Sequence, residues 1–242
     1  MFDGGILFFR YLTDLLFPRR CPACHGITDK KGELICEKCV GRFSAVKAPF
    51  CFKCGKEIGD EREEYCGDCI KKSFPFSRNV AAFNYDEIAG NSVMRFKNGG
   101  RREYADYYAQ QLLSLRGKEI AGFKPDAIIP VPLLPAKKRE RGFNQAEEIA
   151  RRIEKAIGVR LLSDAVIKVK NTGSQKQLDA KSRQESLKNA FLAKYSLKDF
   201  PRVLLVDDVF TTGSTLSALA KTVKKAGAKE VFGATVFVGK EE

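Results

Sequence analysis

From about residue 79 onward, short apolar runs alternate with stretches in which apolar residues return every three or four positions. Residues 127–131 (AIIPV), 203–206 (VLLV) and 231–238 (VFGATVFV) are apolar at nearly every position. Runs of that kind predict strands buried on both faces. Between them, Ala146, Ile149, Ala150, Ile153 and Ile157 follow helical spacing. Asn144 can cap that stretch, Glu147 completes a capping-box pattern, and Gly158 supplies the stop, so a helix is predicted over residues 143–158. Leu216, Leu219, Ala220 and Val223 mark a second helix that ends near Gly227. Apolar strands alternating with amphipathic helices predict an α/β domain whose parallel sheet is covered on both sides.

Residues 1–78 obey a different rule. All eight cysteines fall between positions 21 and 69, as Cys-x-x-Cys pairs at Cys21/Cys24, Cys36/Cys39, Cys51/Cys54 and Cys66/Cys69. Each pair begins 15 residues after the one before, which is an internal repeat. A knuckle places two sulfurs on one tight turn, and two knuckles close a tetrahedral four-thiolate zinc site. Two structural zinc ions are therefore expected. Sequential pairing of the knuckles is favoured over interleaved pairing, because loops of 11 residues close each ribbon locally. Disulfides are the alternative, and a reducing compartment disfavours them. Four-thiolate sites keep no open coordination position, so the metal is expected to build structure rather than to catalyse. His25, just past the first knuckle, reads as a surface histidine. The division predicted is thus 1–78, an N-terminal helix and double zinc-ribbon module, and 79–242, the α/β domain.

Composition narrows the setting. The 242 residues are 44% hydrophobic and 30% charged, which allows a globular core and excludes wholesale disorder. No run reaches the ~18 apolar residues of a membrane helix. The first 17 residues are apolar but carry Asp3, Arg10 and Asp14, and lack a basic start and a small-residue cleavage site. A cytoplasmic protein with no signal peptide and no transmembrane segment is expected. Ile6, Leu7, Phe9, Tyr11, Leu15, Leu16 and Phe17 predict a helix packed on the body, with membrane-surface binding as the alternative. The formal charge is +13, and eight thiolates with two Zn²⁺ bring it to about +9. Residues 1–78 hold 14 basic and 11 acidic side chains, and residues 79–242 hold 29 and 19. An excess concentrated in the second part suits phosphate-bearing partners, nucleic acid or phosphorylated metabolites, or simply a soluble basic surface.

The sharpest chemistry lies in residues 203–215, VLLVDDVFTTGST. A buried strand delivers Asp207 and Asp208 to its carboxyl end, the edge at which open parallel sheets bind ligands. Thr211, Thr212, Gly213, Ser214 and Thr215 then lead into the helix and form a cradle for an anion. Two carboxylates beside an anion cradle suit a ligand that also offers hydroxyls or brings Mg²⁺. A sugar phosphate meets that description. An acidic pair after a strand also occurs in receiver domains and NTPases, but no G-x-x-x-x-G-K-[ST] and no G-x-G-x-x-G is present.

The same stretch resembles the phosphoribosyl pyrophosphate (PRPP) signature of type I phosphoribosyltransferases. The resemblance implies that Asp207 and Asp208 contact the ribose hydroxyls and Mg²⁺, and that residues 211–215 hold the 5′-phosphate. The bend after the first strand, Pro130, Val131, Pro132, Leu133 and Leu134, resembles that family's pyrophosphate loop, with backbone N–H groups of Leu133 and Leu134 turned to the anion. The Leu-Leu-Phe-Pro-Arg-Arg-Cys start, the knuckles, the Pro-Val-Pro-Leu bend and Arg139-Glu140-Arg141-Gly142-Phe143-Asn144-Gln145 together resemble the ComF/ComFC competence family. In that family a zinc-ribbon module precedes a phosphoribosyltransferase-like domain. Gln175, Leu178, Arg183 and Ala190-Phe191 resemble its loop pattern, with Ser186 standing where Asn is expected. The implied fold is a parallel-sheet type I phosphoribosyltransferase fold behind a zinc ribbon. The implied partners are PRPP, single-stranded DNA and other competence proteins in natural transformation.

Three further groups carry candidate roles. The polar stretch 170–183, which includes Gln175, corresponds by resemblance to a flexible loop over PRPP, in which Lys176, Lys181 and Arg183 neutralise pyrophosphate or contact a nucleic-acid backbone; a solvated loop is the alternative. Lys137, Lys138, Arg139 and Arg141 form a basic cluster for pyrophosphate or nucleic acid, or a solvated turn. Arg95, Lys97, Arg101 and Arg102 surround Phe96 and Gly99-Gly100, a mixture that suits single-stranded nucleic acid if Phe96 is exposed and core packing if it is not. Three functions fit these features: a PRPP-binding protein of DNA uptake and processing, which is preferred; an active phosphoribosyltransferase with an unknown acceptor and no assigned catalytic residue; and a zinc-ribbon adaptor with a vestigial pocket.

Overall fold

The computed structural model describes residues 18–28, 32–170 and 190–239. After a short helix α1 (Gly67–Lys71), the chain forms β1 (Arg78–Asn84), α2 (Glu87–Asn98), α3 (Tyr104–Gly122) and β2 (Ala127–Pro130). Then come α4 (Pro135–Arg141), α5 (Gln145–Ile157), β3 (Arg160–Leu161), β4 (Val166–Lys168) and β5 (Phe191–Ala193). The chain closes with β6 (Arg202–Phe210), α6 (Ser214–Lys225) and β7 (Glu230–Val238). Five strands make a parallel sheet in the order β1-β7-β6-β2-β3, and β4 pairs with β5 as a separate antiparallel ribbon.

The middle strands β2, β6 and β7 are apolar over most of their length because helices cover both faces. Leu204, Val206, Ala234 and Val236 face α3 and α5. Val203, Leu205 and Val231 face α6. The predicted stripe of α6 is buried as expected, and so is that of α5 except Ile157, which is 37% exposed. Asn144 caps α5 by accepting the Ala146 N–H (3.2 Å), and Gly158 ends it in the left-handed region at φ 72°. The capping box itself does not close: Glu147 pairs instead with Lys138 (3.0 Å) and Arg151 (2.5 Å). Charged neighbours outcompeted the backbone N–H for that carboxylate.

The two halves of the cysteine repeat lie on opposite faces of this sheet. Cys21, Cys36, Cys39 and Phe43 join the core under α3, whereas Cys51, Cys54, Cys66 and Phe76 join the core under α6. The chain passes from one face to the other along the edge of β1. There Ala45 bridges Phe83, the Val46 N–H donates to Ala82 O (2.9 Å), and the Asn84 N–H donates to Ser44 O (2.8 Å). An otherwise open strand edge is thereby paired. Arg116 of α3 fixes the crossing: Nε donates to Ala81 O (2.8 Å), its NH2 nitrogen donates to Val46 O (2.6 Å), and the guanidinium lies 4.6 Å from the Phe50 ring. Gly55, at φ 80°, rests so close to β1 that a Cβ would stand 3.1 Å from Asn79 O. No helix among the described residues is long and apolar enough to cross a membrane. The predicted N-terminal helix lies outside the described residues.

Candidate functional site

β6 carries the acidic pair further along the strand than its apolar core implied. Asp207 and Asp208 are strand residues, and Asp207 stands opposite Thr235 of β7. A cavity of about 410 Å³ opens at this end of the sheet. Asp207, Asp208 and Thr215 line it, together with Val131, Pro132, Leu133 and Leu134 of the bend after β2. A smaller cleft adjoins it, lined by Asp207 and by all of Thr211, Thr212, Gly213, Ser214 and Thr215. One carboxylate therefore borders both spaces. The topology explains the meeting: β2 and β6 are parallel neighbours, so the bends at their carboxyl ends rise side by side.

The hydroxyl-rich bend is held by packing beneath it. Gly213 has φ 74°, and a Cβ there would lie 2.6 Å from Phe210 Cζ and 2.8 Å from Phe74 Cε1. Phe74 and Phe76 stack at 5.1 Å, and both contact the Phe210 ring. The end of the second cysteine ribbon thus forms the floor of the bend. Above it, the Thr212 and Ser214 hydroxyls lie 2.7 Å apart. On the other wall, Asn144 Nδ2 donates to Val131 O (3.0 Å), tying the cap of α5 to the bend after β2.

The electrostatics are mixed. Burial and the neighbouring Asp208 charge push the Asp207 carboxyl up to about 8. Asp207 Oδ1 accepts the Asp208 N–H (2.9 Å). Lys97 Nζ lies 2.8 Å from Asp208 Oδ2. Lys97, Lys137, Arg141 and Lys168 all line the cavity, four cationic side chains against two carboxylates. Burial pulls the Lys168 ammonium below its ordinary value.

The predicted basic groups separate. Lys137 and Arg141 face the cavity, Lys138 pairs with Glu147, and Arg139 is exposed on α4, a helix rather than a turn. In the group around Phe96, the ring is fully buried against Tyr108 and Phe143, so the core alternative holds and a stacking role for it falls. Arg102 lies 4.9 Å from the Phe143 ring, and Arg95 donates to Ala23 O (3.3 Å). Lys168 and Tyr85 are cavity residues that no motif marked, and Lys97, marked only as part of the basic–aromatic group, joins them. Their signal is tertiary, since each comes from an element distant in the chain. Gln175, Lys176, Lys181, Arg183 and Ser186 lie outside the described residues.

The cysteines form two compact clusters, Cys21/Cys24/Cys36/Cys39 and Cys51/Cys54/Cys66/Cys69, the sequential pairing. Within each cluster the sulfurs lie within 4.8 Å of one another. Cys24 and Cys36 Sγ are 3.8 Å apart, and Cys54 and Cys66 Sγ 3.6 Å. Tetrahedral zinc with Zn–S bonds of about 2.3 Å needs sulfurs about 3.8 Å apart, so the donor set fits that ion. His25 is not a free surface group. It has φ 68°, is half-buried, and its Nδ1 lies 2.7 Å from the Tyr104 hydroxyl, a contact that docks the first ribbon on α3.

Comparison with known proteins agrees with this architecture. A double zinc ribbon domain matches residues 12–70, and a phosphoribosyl transferase domain matches residues 107–242. Competence protein F of Haemophilus influenzae is 34% identical over 221 residues, covering 89% of this chain and 95% of that protein. The chain belongs to the ComF/ComFC family. DNA utilization protein YhgH of Escherichia coli K12 is 30% identical, covering 81% of this chain and 87% of that one. Competence protein ComFC of Bacillus subtilis is 25% identical, covering 82% and 81%. The family's two parts, double zinc ribbon and parallel-sheet phosphoribosyltransferase domain, are the two parts described above.

Proposed function

We propose that this chain binds PRPP with Mg²⁺ in the cavity at the carboxyl end of β6, and that it does so as a protein of DNA uptake and processing. The observation that carries the first part is Asp207, which borders both the main cavity and the cleft of the 211–215 bend. Asp207 and Asp208 accept hydrogen bonds from the ribose hydroxyls and hold the cation, a hard-ion site built from carboxylate oxygens. The backbone N–H groups and hydroxyls of Thr211, Thr212, Gly213, Ser214 and Thr215 hold the 5′-phosphate. Leu133 and Leu134 line the pyrophosphate side, with Lys137 and Arg141 neutralising its charge. Burial and the Asp208 charge raise the Asp207 carboxyl, and a divalent ion held between the two carboxylates offsets that like-charge repulsion. The metal of each cysteine cluster is structural zinc.

The second part rests on the names of the relatives, competence protein and DNA utilization protein, and on the basic excess of residues 79–242. Single-stranded DNA and other competence proteins are the partners, in the cytoplasm. A second function uses the same cavity: phosphoribosyl transfer from PRPP to an acceptor with release of pyrophosphate. The four cations of the cavity favour it, since leaving-group charge is what such a site must stabilise.

Titration calorimetry with PRPP and Mg²⁺ tests the cavity. Wild type binds, and Asp207→Ala with Asp208→Ala loses binding; a wild type that takes up no heat refutes the proposal. Binding of single-stranded DNA that weakens steeply with salt supports the nucleic-acid partner, and a flat salt response refutes a backbone contact. Pyrophosphate release in the presence of bases, nucleosides or DNA tests the transferase function.

A further inference from the structure

Asp208 has a partner from outside the segment that matches the phosphoribosyl transferase domain, which begins at residue 107. Lys97 stands in the last turn of α2, where a positive charge also suits the carbonyl end of the helix. Three successive residues of that turn diverge. Arg95 holds the first ribbon through Ala23 O, Phe96 enters the core, and Lys97 enters the cavity. The Asp208 side chain is 7% exposed and that of Lys97 30%, so the carboxylate is enclosed while the ammonium is reachable from the cavity. A carboxylate enclosed to that degree needs a counter-charge. Lys97 supplies one from 2.8 Å.

The counter-charge has a consequence for any cation that the pair holds. An ion bridging Asp207 and Asp208 would meet the Lys97 ammonium at Asp208 Oδ2. A displaced ammonium would find Lys137, Arg141 and Lys168 around the same cavity, all of its own sign. An anionic ligand is what such a cation can turn to. Lysine suits an exchange of this kind, with a compact charge on a flexible stem.

We propose that Lys97 is the resident counter-cation of Asp208, and that it keeps divalent cations off the acid pair until a phosphorylated ligand gives the displaced ammonium a partner. The inference rests on the acid pair being a cation-holding site for a phosphorylated sugar. Cation binding and ligand binding are coupled through one side chain, so neither ion nor sugar phosphate is held firmly alone.

The test is Mn²⁺ binding without ligand to the full-length, zinc-loaded protein, read from the electron paramagnetic resonance signal of free Mn²⁺. Mn²⁺ is a hard ion with low affinity for thiolate sites, so it leaves the zinc clusters alone. Lys97→Met and Lys97→Gln bind Mn²⁺ at least about tenfold more tightly than wild type, because a positive charge within about 4 Å of the ion is gone. Lys97→Arg keeps the weak wild-type binding. Asp208→Ala added to Lys97→Met abolishes the gain. Equal or weaker Mn²⁺ binding by both Met and Gln variants overturns the inference, and so does a gain that survives loss of Asp208. Calorimetry with PRPP and Mg²⁺ on the same proteins separates the two claims. A Mn²⁺ gain in a protein that never binds PRPP refutes the PRPP site and leaves Lys97 as gatekeeper of the pair. PRPP binding by wild type with no Mn²⁺ gain in the variants refutes the gatekeeper and leaves the PRPP site.

Discussion

The ribbon of Cys21, Cys24, Cys36 and Cys39 and the ribbon of Cys51, Cys54, Cys66 and Cys69 share one ligand spacing and lie against opposite faces of one sheet. The first is anchored on α3, through His25 to Tyr104 and through Arg19 to Asp106 (2.7 Å), on the face away from the hydroxyl-rich bend. The second ends in Phe74 and Phe76, which pack against Phe210 and leave the gap that Gly213 fills. The same sequence device therefore serves two ends. One ribbon braces a helix, and the other braces the floor of the candidate site. The difference comes from the residues that flank and separate the cysteines, since the ligand spacing is the same in both ribbons.

Removing one cluster at a time tests that contrast most severely. Structural zinc contributes on the order of 10 kcal/mol to the folding of small metal domains, as much as the net stability of many whole domains. Cys51→Ser with Cys54→Ser is expected to lose one zinc by elemental analysis and to abolish PRPP–Mg²⁺ binding. Cys21→Ser with Cys24→Ser also loses one zinc but retains measurable ligand binding. Equal loss of ligand binding in both double variants would end the distinction.

A milder version removes one buried ring from each ribbon. Phe43 and Phe76 are both buried, on the first and second sides respectively. Each change to Ala is expected to cost about 3–5 kcal/mol, seen as a lowered thermal midpoint. Only Phe76→Ala should also weaken PRPP–Mg²⁺ binding in calorimetry, because only Phe76 underlies the bend. Matching affinities in the two variants would show that the floor is not needed.

The last test concerns pH. The Asp207 carboxyl is pushed up to about 8 from an ordinary value of 3.8, so the folded protein holds this proton more tightly than the unfolded chain. Its contribution is complete below the ordinary value and is lost as pH rises toward about 8. Wild type should therefore lose thermal stability between pH 4 and 8, and Asp207→Asn should lose less, with a midpoint a few degrees higher at pH 8. A wild type and variant with parallel pH profiles would remove the buried-carboxyl account.

Much of this architecture could be read along the chain, and the exceptions have physical causes. The two-sided apolar runs at 203–206 and 231–238 marked β6 and β7, and the stripes around Ile149 and Leu219 marked α5 and α6. Glu147 matched a capping box, but that pattern takes no account of Lys138 and Arg151, which occupy its carboxylate. His25 looked superfluous because all ligands were cysteine, while its partner Tyr104 lies 79 residues away. Phe96 and Lys97 looked like one basic–aromatic patch, yet adjacent residues of a helix point about 100° apart and these two face core and cavity.

By itself the sequence determined what depends on near neighbours: sulfurs paired at two-residue gaps, the periodicity of strands and helices, and an acidic pair running into a hydroxyl-rich bend. The tertiary structure alone decided which face each ribbon covers, which cations surround Asp207 and Asp208, and that Lys97 meets Asp208 across 111 positions of chain. Local chemistry is written in spacing along the backbone. The company a side chain keeps depends on the order in which strands join the sheet, and no single segment carries that information.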